Sequence, residues 1–205
     1  MKIGKIKFPI FSGTRCLMMP YIQGNADSVP LNFRQGYEEI LNELYFAKGE
    51  IGFLTIDESE AVKGQPHRGA RAKFGRALHT EAGLHPNKVY GWGGSPACWG
   101  GSTNVILERD TQIFLANNVD NSCALWEKDC ENTSLDGDIG DKATEYPYEE
   151  AVYMQAGEVH RIGILTPHES MPIKNNVNRQ FLRIISSGVH GREPYFTENP
   201  LLKVA

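Results

Sequence analysis

Apolar and polar residues follow one another along this chain with two different spacings, one typical of a helix and one typical of strands. Over residues 37–46 the apolar side chains recur three and four positions apart, with glutamates on the remaining faces, which predicts one α-helix. Gly49 ends that pattern. Residues 51–56 (IGFLTI) follow, and they are short and rich in β-forming side chains, so we predict a strand there.

The rest of the chain has the pattern of short strands separated by turns. Residues 91–101 (GWGGSPACWGG) contain too much glycine for a helix. The acidic stretch 127–150 predicts a long loop, which is either a lid or binding element or a solvated excursion. Further strands are predicted at 104–108, 111–116, 123–126, 150–154, 159–165 and 180–185. Short strands at near-regular spacing after one helix predict a sandwich or a barrel.

Composition narrows the class of protein. The chain has 205 residues, 40% hydrophobic and 22% charged, which is typical of one globular domain. The net charge of −4 does not favour nucleic acid as the main partner. Residues 67–76 carry a local basic cluster, which is either a solvated loop or a contact for an anionic substrate; its members are Arg68, Arg71, Lys73 and Arg76.

The N-terminus and the cysteines bear on location. Residues 1–11 (MKIGKIKFPIF) lack an apolar run long enough for a signal peptide or a membrane helix, so we expect a cytoplasmic protein without a membrane partner. The four cysteines are scattered without a C-x-x-C pair, and we expect free thiols; they are Cys16, Cys98, Cys123 and Cys130.

Histidines and a glutamate form the main candidate for chemistry. In GRALHTEAGLH, an extended backbone turns His79 and Glu81 to the same side, because side chains two apart in a strand share a face. His168, in TPHES near the end of a predicted strand, can add the third ligand of a two-histidine, one-carboxylate Fe(II) site. His160, eight residues earlier, is the rival for that third position.

Arginines downstream of His168 can bind a carboxylate. Arg179 opens the predicted strand RQFLRI and can hold a carboxylate bidentately, and Arg183 shares its parity and is the alternative. Either arginine can instead form a salt bridge to the acidic loop. Five more residues are candidates for the substrate pocket, with core or surface roles as the alternative: His67, Arg76, His85, Trp92 and His160.

The order His-x-acid, a long gap, a distal His and then an Arg resembles that of the Fe(II)/2-oxoglutarate-dependent dioxygenases of the cupin-like superfamily, with Glu in place of the usual Asp. The resemblance covers about residues 50–186. It implies that His79, Glu81 and His168 hold Fe(II), and that Arg179 binds the far carboxylate of 2-oxoglutarate, with Arg183 as the alternative.

The resemblance also implies a mainly β fold, a double-stranded β-helix (jelly-roll) barrel with one or a few supporting N-terminal helices. We expect residues 1–205 to form a single domain, with 1–49 as N-terminal strand and helix support, the barrel at 50–186 and a C-terminal extension at 187–205. The implied activity is hydroxylation of a small-molecule or carrier-bound substrate.

Two alternatives from other classes stay open. A cupin-like isomerase or hydrolase would use the same metal ligands without 2-oxoglutarate, so it would not need Arg179 for a cosubstrate. A non-catalytic jelly-roll module for binding or assembly would leave the histidines apart. The separation of His79, Glu81 and His168 in the fold discriminates between these functions.

Overall fold

A computed structural model describes residues 1–66, 76–84, 90–92, 105–191 and 195–202. In these ranges two short α-helices precede most of the strands: α1 (Leu31–Arg34) and α2 (Glu38–Glu43). The strands are β1 (Lys2–Lys5), β2 (Arg15–Ile22), β3 (Ile51–Ala61), β4 (Ala82–Leu84), β5 (Tyr90–Trp92), β6 (Ile106–Leu107), β7 (Gln112–Asn117), β8 (Cys123–Leu125), β9 (Val152–Tyr153), β10 (Glu158–Gly163), β11 (His168–Ser170), β12 (Val177–Ile185) and β13 (Val189–His190). Short 3-10 helices cover Ala26–Ser28, Gly140–Glu145 and Tyr148–Glu150.

The strands form antiparallel sheets, so the prediction of a mainly β fold with N-terminal helices is confirmed. A six-stranded sheet has the order β1-β10-β7-β12-β3-β2, and two smaller sheets have the orders β11-β8-β9 and β13-β6-β5-β4. Strand β12 lies inside the large sheet and pairs with β3 from Val177 opposite Ala61 to Ile185 opposite Phe53. No helix in the described ranges is long and apolar enough to cross a membrane.

Both faces of the large sheet are buried, each in a different cluster of apolar side chains. Leu182 and Ile184 of β12 pack in a cluster with residues of the N-terminal segment, including Leu41 of α2. The alternate residues Phe181 and Ile185 pack in a second cluster, together with side chains of the smaller sheets that include Ala82, Leu107 and Leu125. Because side chains alternate along a strand, Arg179 and Arg183 share the face of Phe181 and lie toward the smaller sheets.

The carboxylate of Glu58 binds the N-terminal segment to the face of the large sheet on which Leu182 and Ile184 lie. Its Oε1 accepts hydrogen bonds from Tyr37 Oη at 2.8 Å and Gln180 Nε2 at 2.7 Å. Its Oε2 accepts from the backbone N–H groups of Ser12 at 2.7 Å and Thr14 at 3.0 Å. Burial by itself would raise the pKa of Glu58, but the donors outweigh it, those of Gln180 and Ser12 foremost, and the pKa is lowered.

The C-terminal segment covers the outer edge of β2. Thr197 donates its backbone N–H to Leu17 O at 2.7 Å, and its hydroxyl accepts from Leu17 N at 2.8 Å. Asn199 Nδ2 donates to Pro20 O at 2.7 Å. An uncovered edge strand offers its backbone groups to other chains, so this segment protects the sheet edge.

Several predicted boundaries differ from the structure. The helix predicted over 37–46 is confirmed as α2 but ends at Glu43, because the next residue is extended (φ −99°, ψ 98°). The strand predicted over 51–56 runs on to Ala61. Strand β2 was not predicted, since nearly all its residues are apolar or buried and it shows no alternation; a register shift between Cys16 and Met19 interrupts it. The loop predicted at 127–150 contains two of the 3-10 helices.

We expect Glu58→Gln to lower the free energy of unfolding at pH 7 by about 1–3 kcal/mol, because buried donors lose a charged acceptor. The lowered pKa of Glu58 means that its stabilisation is complete above the unfolded-state pKa and is lost as the pH falls through the folded-state pKa. The difference between variant and wild type should therefore shrink in acid. Urea unfolding between pH 3 and pH 7 measures it.

Glu60→Gln is the matched control, because Glu60 is an exposed residue of the same strand. We expect it to change the free energy of unfolding by no more than about 0.5 kcal/mol. A deficit for Glu58→Gln that equals that of the control, or that does not change with pH, would contradict the role assigned to Glu58.

Candidate metal centre

His79 and His168 lie side by side although they are far apart in sequence. His79 donates its backbone N–H to His168 O at 3.0 Å, and His168 donates in return to His79 O at 2.9 Å. The imidazole ring centroids are 4.1 Å apart. On its other side the His79 segment is held by the loop at Asp138, where Ile139 N donates to Leu78 O at 3.1 Å. The histidines are therefore fixed by paired backbone on both sides.

Both imidazoles are held through the same ring nitrogen. His79 Nδ1 lies 2.7 Å from Ala77 O, and His168 Nδ1 lies 3.0 Å from Thr166 O. A carbonyl oxygen can only accept, so each Nδ1 donates a proton and the neutral ring keeps its lone pair on Nε2. Histidines that bind metals are commonly oriented in this way by a bond from the second nitrogen to a carbonyl. The arrangement therefore suits metal ligation through Nε2.

Glu81 lies between His168 and the large sheet. Its Oε1 is 3.4 Å from His168 Nε2, and its Oε2 accepts a hydrogen bond from Arg183 Nη1 at 2.9 Å. Only 7% of Glu81 and 1% of Arg183 is exposed, so this is an ion pair removed from water. Thr80, the residue between His79 and Glu81, is also buried, and its hydroxyl donates a hydrogen bond to Ala82 O at 2.7 Å. His79, Glu81 and His168 thus come to one region of the fold.

A second acidic residue, Glu169, binds the chain segment that precedes His79. Glu169 Oε2 accepts from Arg76 Nε at 3.0 Å and Nη2 at 2.9 Å, and its Oε1 accepts from Ala77 N at 3.1 Å. Arg76 Nη1 donates to the carbonyls of Ala143 and Tyr146. The guanidinium therefore joins the segment before His79 to strand β11. We call this contact the Arg76–Glu169 clamp; the place that the sequence suggested for Arg76 in the substrate pocket stays a prediction.

The two candidate arginines for a cosubstrate have different surroundings. Arg183 is committed to Glu81 by the ion pair just described. Arg179 lies on the same face of β12, is 3% exposed, and has its guanidinium carbon 5.1 Å from the centre of the Phe181 ring. The place of Arg179 at a cosubstrate carboxylate stays a prediction.

His160 belongs to a different contact, between β1 and β10. Its Nε2 lies 3.3 Å from Glu158 Oε2, and Glu158 Oε1 accepts from Lys2 Nζ at 2.6 Å. The Lys2 ammonium is the largest cause that lowers the pKa of Glu158 to about 2. Burial lowers the pKa of His160. Since His168 rather than His160 pairs with His79, the geometry favours His168 as the distal histidine.

Other predicted pocket residues fall outside the described part of the chain. His67 and His85 do so, as do Arg68, Arg71 and Lys73 of the basic cluster. The backbone of Trp92 lies in β5, but its side chain is outside the described part. Their roles in a pocket stay predictions.

The donor set fits Fe(II) in its chemistry and in one of its spacings. Among the described residues no group of three or more His, Cys, Asp or Glu side chains is arranged to hold a metal ion as it stands. Two donors each about 2.0–2.2 Å from one ion lie about 3 Å apart at a right angle. Glu81 Oε1 and His168 Nε2, at 3.4 Å, are close to that separation. Two neutral imidazoles and a carboxylate are the ligands of non-haem Fe(II) sites.

No protein-family model matches this chain, and comparison with curated proteins and with solved structures finds no match. Sequence reasoning missed two contacts of the site, the Arg183–Glu81 pair and the Arg76–Glu169 clamp. The parity of Arg183 in its strand was the one signal for the first contact, and it does not identify a partner. No signal in the sequence indicated the second contact.

We expect Arg183→Met to lower the free energy of unfolding by about 3–5 kcal/mol, because it leaves the Glu81 carboxylate buried without its cation. The double variant Glu81→Gln/Arg183→Met should lose less than the sum of the two single variants, since neither charge remains. Urea unfolding at pH 7 measures all three variants.

Arg109→Met is the control for loss of an arginine–carboxylate pair. Arg109 pairs with Glu131, and more than half of each side chain is exposed. Water can replace much of this contact, and the loss should be smaller than for Arg183→Met. Equal losses, or additive losses in the double variant, would contradict a buried coupling between Glu81 and Arg183.

Proposed function

We propose that this protein is an Fe(II)- and 2-oxoglutarate-dependent oxygenase that hydroxylates a small-molecule or carrier-bound substrate. The observation that carries the proposal is the backbone pairing of His79 with His168 beside the buried Glu81. In the neutral form of each ring the lone pair is on Nε2, because both Nδ1 atoms are bound to carbonyls. In this proposal the three side chains hold Fe(II).

The strand pairing supports a double-stranded β-helix for the region from β3 to β12. With β5 and β6 set aside, as an insertion, eight segments follow one another: β3, residues 79–84, β7, β8, β9, β10, β11 and β12. The first pairs with the eighth, the second with the seventh through His79 and His168, the third with the sixth, and the fourth with the fifth. These pairings make one long hairpin.

Two more pairings support the rolling of that hairpin into a jelly roll. Strand β12 also pairs with β7, and β11 also pairs with β8. A ribbon of two strands makes such contacts when it folds back on itself into two facing sheets, as in jelly rolls. In this arrangement residues 79–81 and β11 face the inner side of the large sheet. The proposed ligands then come from one sheet and the candidate arginines from the other.

The chain's own residues would bind and orient the reactants. Fe(II) with 2-oxoglutarate would supply the oxidative chemistry: O2 is consumed, 2-oxoglutarate is split into succinate and CO2, and one oxygen atom enters a C–H bond of the substrate. Arg179 would hold the far carboxylate of 2-oxoglutarate, because a guanidinium matches a carboxylate with two parallel donors. The apolar cluster around Phe181 and Ile185 would limit water beside the site.

A cupin-like metal-dependent isomerase or hydrolase is the second candidate. The Arg183–Glu81 ion pair favours it, since one of the two arginines in reach of a cosubstrate is already bound to a ligand carboxylate. This candidate shares the metal site and differs in having no use for 2-oxoglutarate.

Anaerobic titration of the metal-free protein with Fe(II) and 2-oxoglutarate tests the proposal. We expect a saturable charge-transfer absorption band, because 2-oxoglutarate chelates the iron. His79→Ala should abolish the band by removing a ligand. Arg179→Ala should weaken 2-oxoglutarate binding while Fe(II) still binds.

His190→Ala is the matched control, because His190 is an exposed histidine paired with Glu108 on β6–β13, and it should leave the band unchanged. Tight Fe(II) binding without a band would favour the cupin-like candidate. Absence of metal binding would favour a non-catalytic binding or assembly module.

A further inference from the structure

We infer that Arg183 is a positioning residue for the metal ligand Glu81. The inference rests on the proposed metal site and adds to it how the carboxylate ligand is held. Arg183 would touch neither metal nor substrate, and would act through Glu81 alone.

The two oxygens of Glu81 have separate neighbours. Oε2 accepts from Arg183 Nη1 at 2.9 Å, whereas Oε1 lies 3.4 Å from His168 Nε2. A carboxylate held through one oxygen by a charged donor has its second oxygen fixed in direction. The ion pair therefore presents Oε1 on the side of the histidines.

Arg183 is a rigid anchor for this purpose. Its backbone lies in the interior of the six-stranded sheet, paired with Thr55 on one side and Leu115 on the other. Only 1% of the residue is exposed. A ligand whose partner is fixed in a sheet keeps its orientation better than one whose partner lies on a loop.

This contact gives a physical reason for Glu at position 81. The carboxylate has to extend from the His79 segment to an arginine on the facing strand β12 while one oxygen stays beside His168. Asp has one methylene fewer, so it would give up one of the two contacts.

Titration with Co(II) alone, followed by its visible ligand-field absorption, tests the inference without cosubstrate or turnover. We expect Arg183→Met to weaken Co(II) binding by about 10–100-fold, as is typical when the partner of a metal ligand is removed, and to change the spectrum. Arg183→Lys, which keeps a cation with one-point donors, should give an intermediate affinity. Glu81→Asp should also bind more weakly and with a changed spectrum, although it keeps a carboxylate.

Arg109→Met is the matched control, because it removes an arginine from its pair with Glu131, a carboxylate that is not a proposed ligand, and it should leave Co(II) affinity unchanged. Wild-type affinity and spectrum in Arg183→Met would overturn the inference. If Arg183→Met does not fold, Arg183→Lys decides, because it keeps a cation in the buried pair and leaves the ligand Glu81 unchanged.

The failure of the proposed function has a different result. In that case the wild type binds no Co(II), or His79→Ala and His168→Ala bind it as tightly as the wild type does. Positioning of Glu81 by Arg183 would then have no metal to serve, and both proposals would be wrong. Binding that depends on both histidines but not on Arg183 overturns the positioning alone.

Discussion

A buried carboxylate held between an arginine and a histidine is the constraint on which the site depends. Glu81 is removed from water, and such a charge is costly unless a cation and hydrogen bonds compensate it. Arg183 supplies that compensation from the large sheet. The segment that carries His79 and Glu81 must therefore stay against β12. The same requirement keeps Glu81 next to His168, so one ion pair links the stability of the protein with the geometry of the proposed site.

The six-stranded sheet makes this arrangement possible because its two faces contact different parts of the protein. On one face the N-terminal segment is packed on apolar residues and fastened by Glu58, which binds Tyr37 and Gln180. The other face carries Arg179 and Arg183 among apolar side chains. A sheet supported on one side by a packed layer can hold charged residues rigidly on the other. The N-terminal support thus contributes to the site without contributing a residue to it.

The positions of His79 and His168 are set by the hydrogen bonds of their backbone more than by contacts of their side chains. His79 and His168 exchange both backbone hydrogen bonds, and each ring is oriented by a carbonyl two residues earlier. The ion pair of Arg76 with Glu169 links the same two segments a second time. In the proposed metal site the two imidazoles would therefore be oriented before an ion binds, which would reduce the entropy lost on binding.

The sequence by itself determined the class of the fold and most of the candidate ligands. Alternation and turn residues predicted β7, β8, β9, β10 and β12 but neither β11 nor β13, and the period of 3.6 predicted α2. The shared side of His79 and Glu81 was predicted from the strand repeat, although β4 begins only at Ala82. Strand β2 escaped prediction because both of its faces are covered, so its residues do not alternate.

Only the tertiary structure decided which distant residues meet. It paired His79 with His168 and assigned His160 to Glu158. It also paired Arg183 with Glu81, whereas the sequence offered Arg183 as the alternative to Arg179 for a cosubstrate carboxylate. The physical reason is that local patterns fix which way a side chain faces, whereas its partner across the fold depends on which strands, distant in sequence, pair with each other.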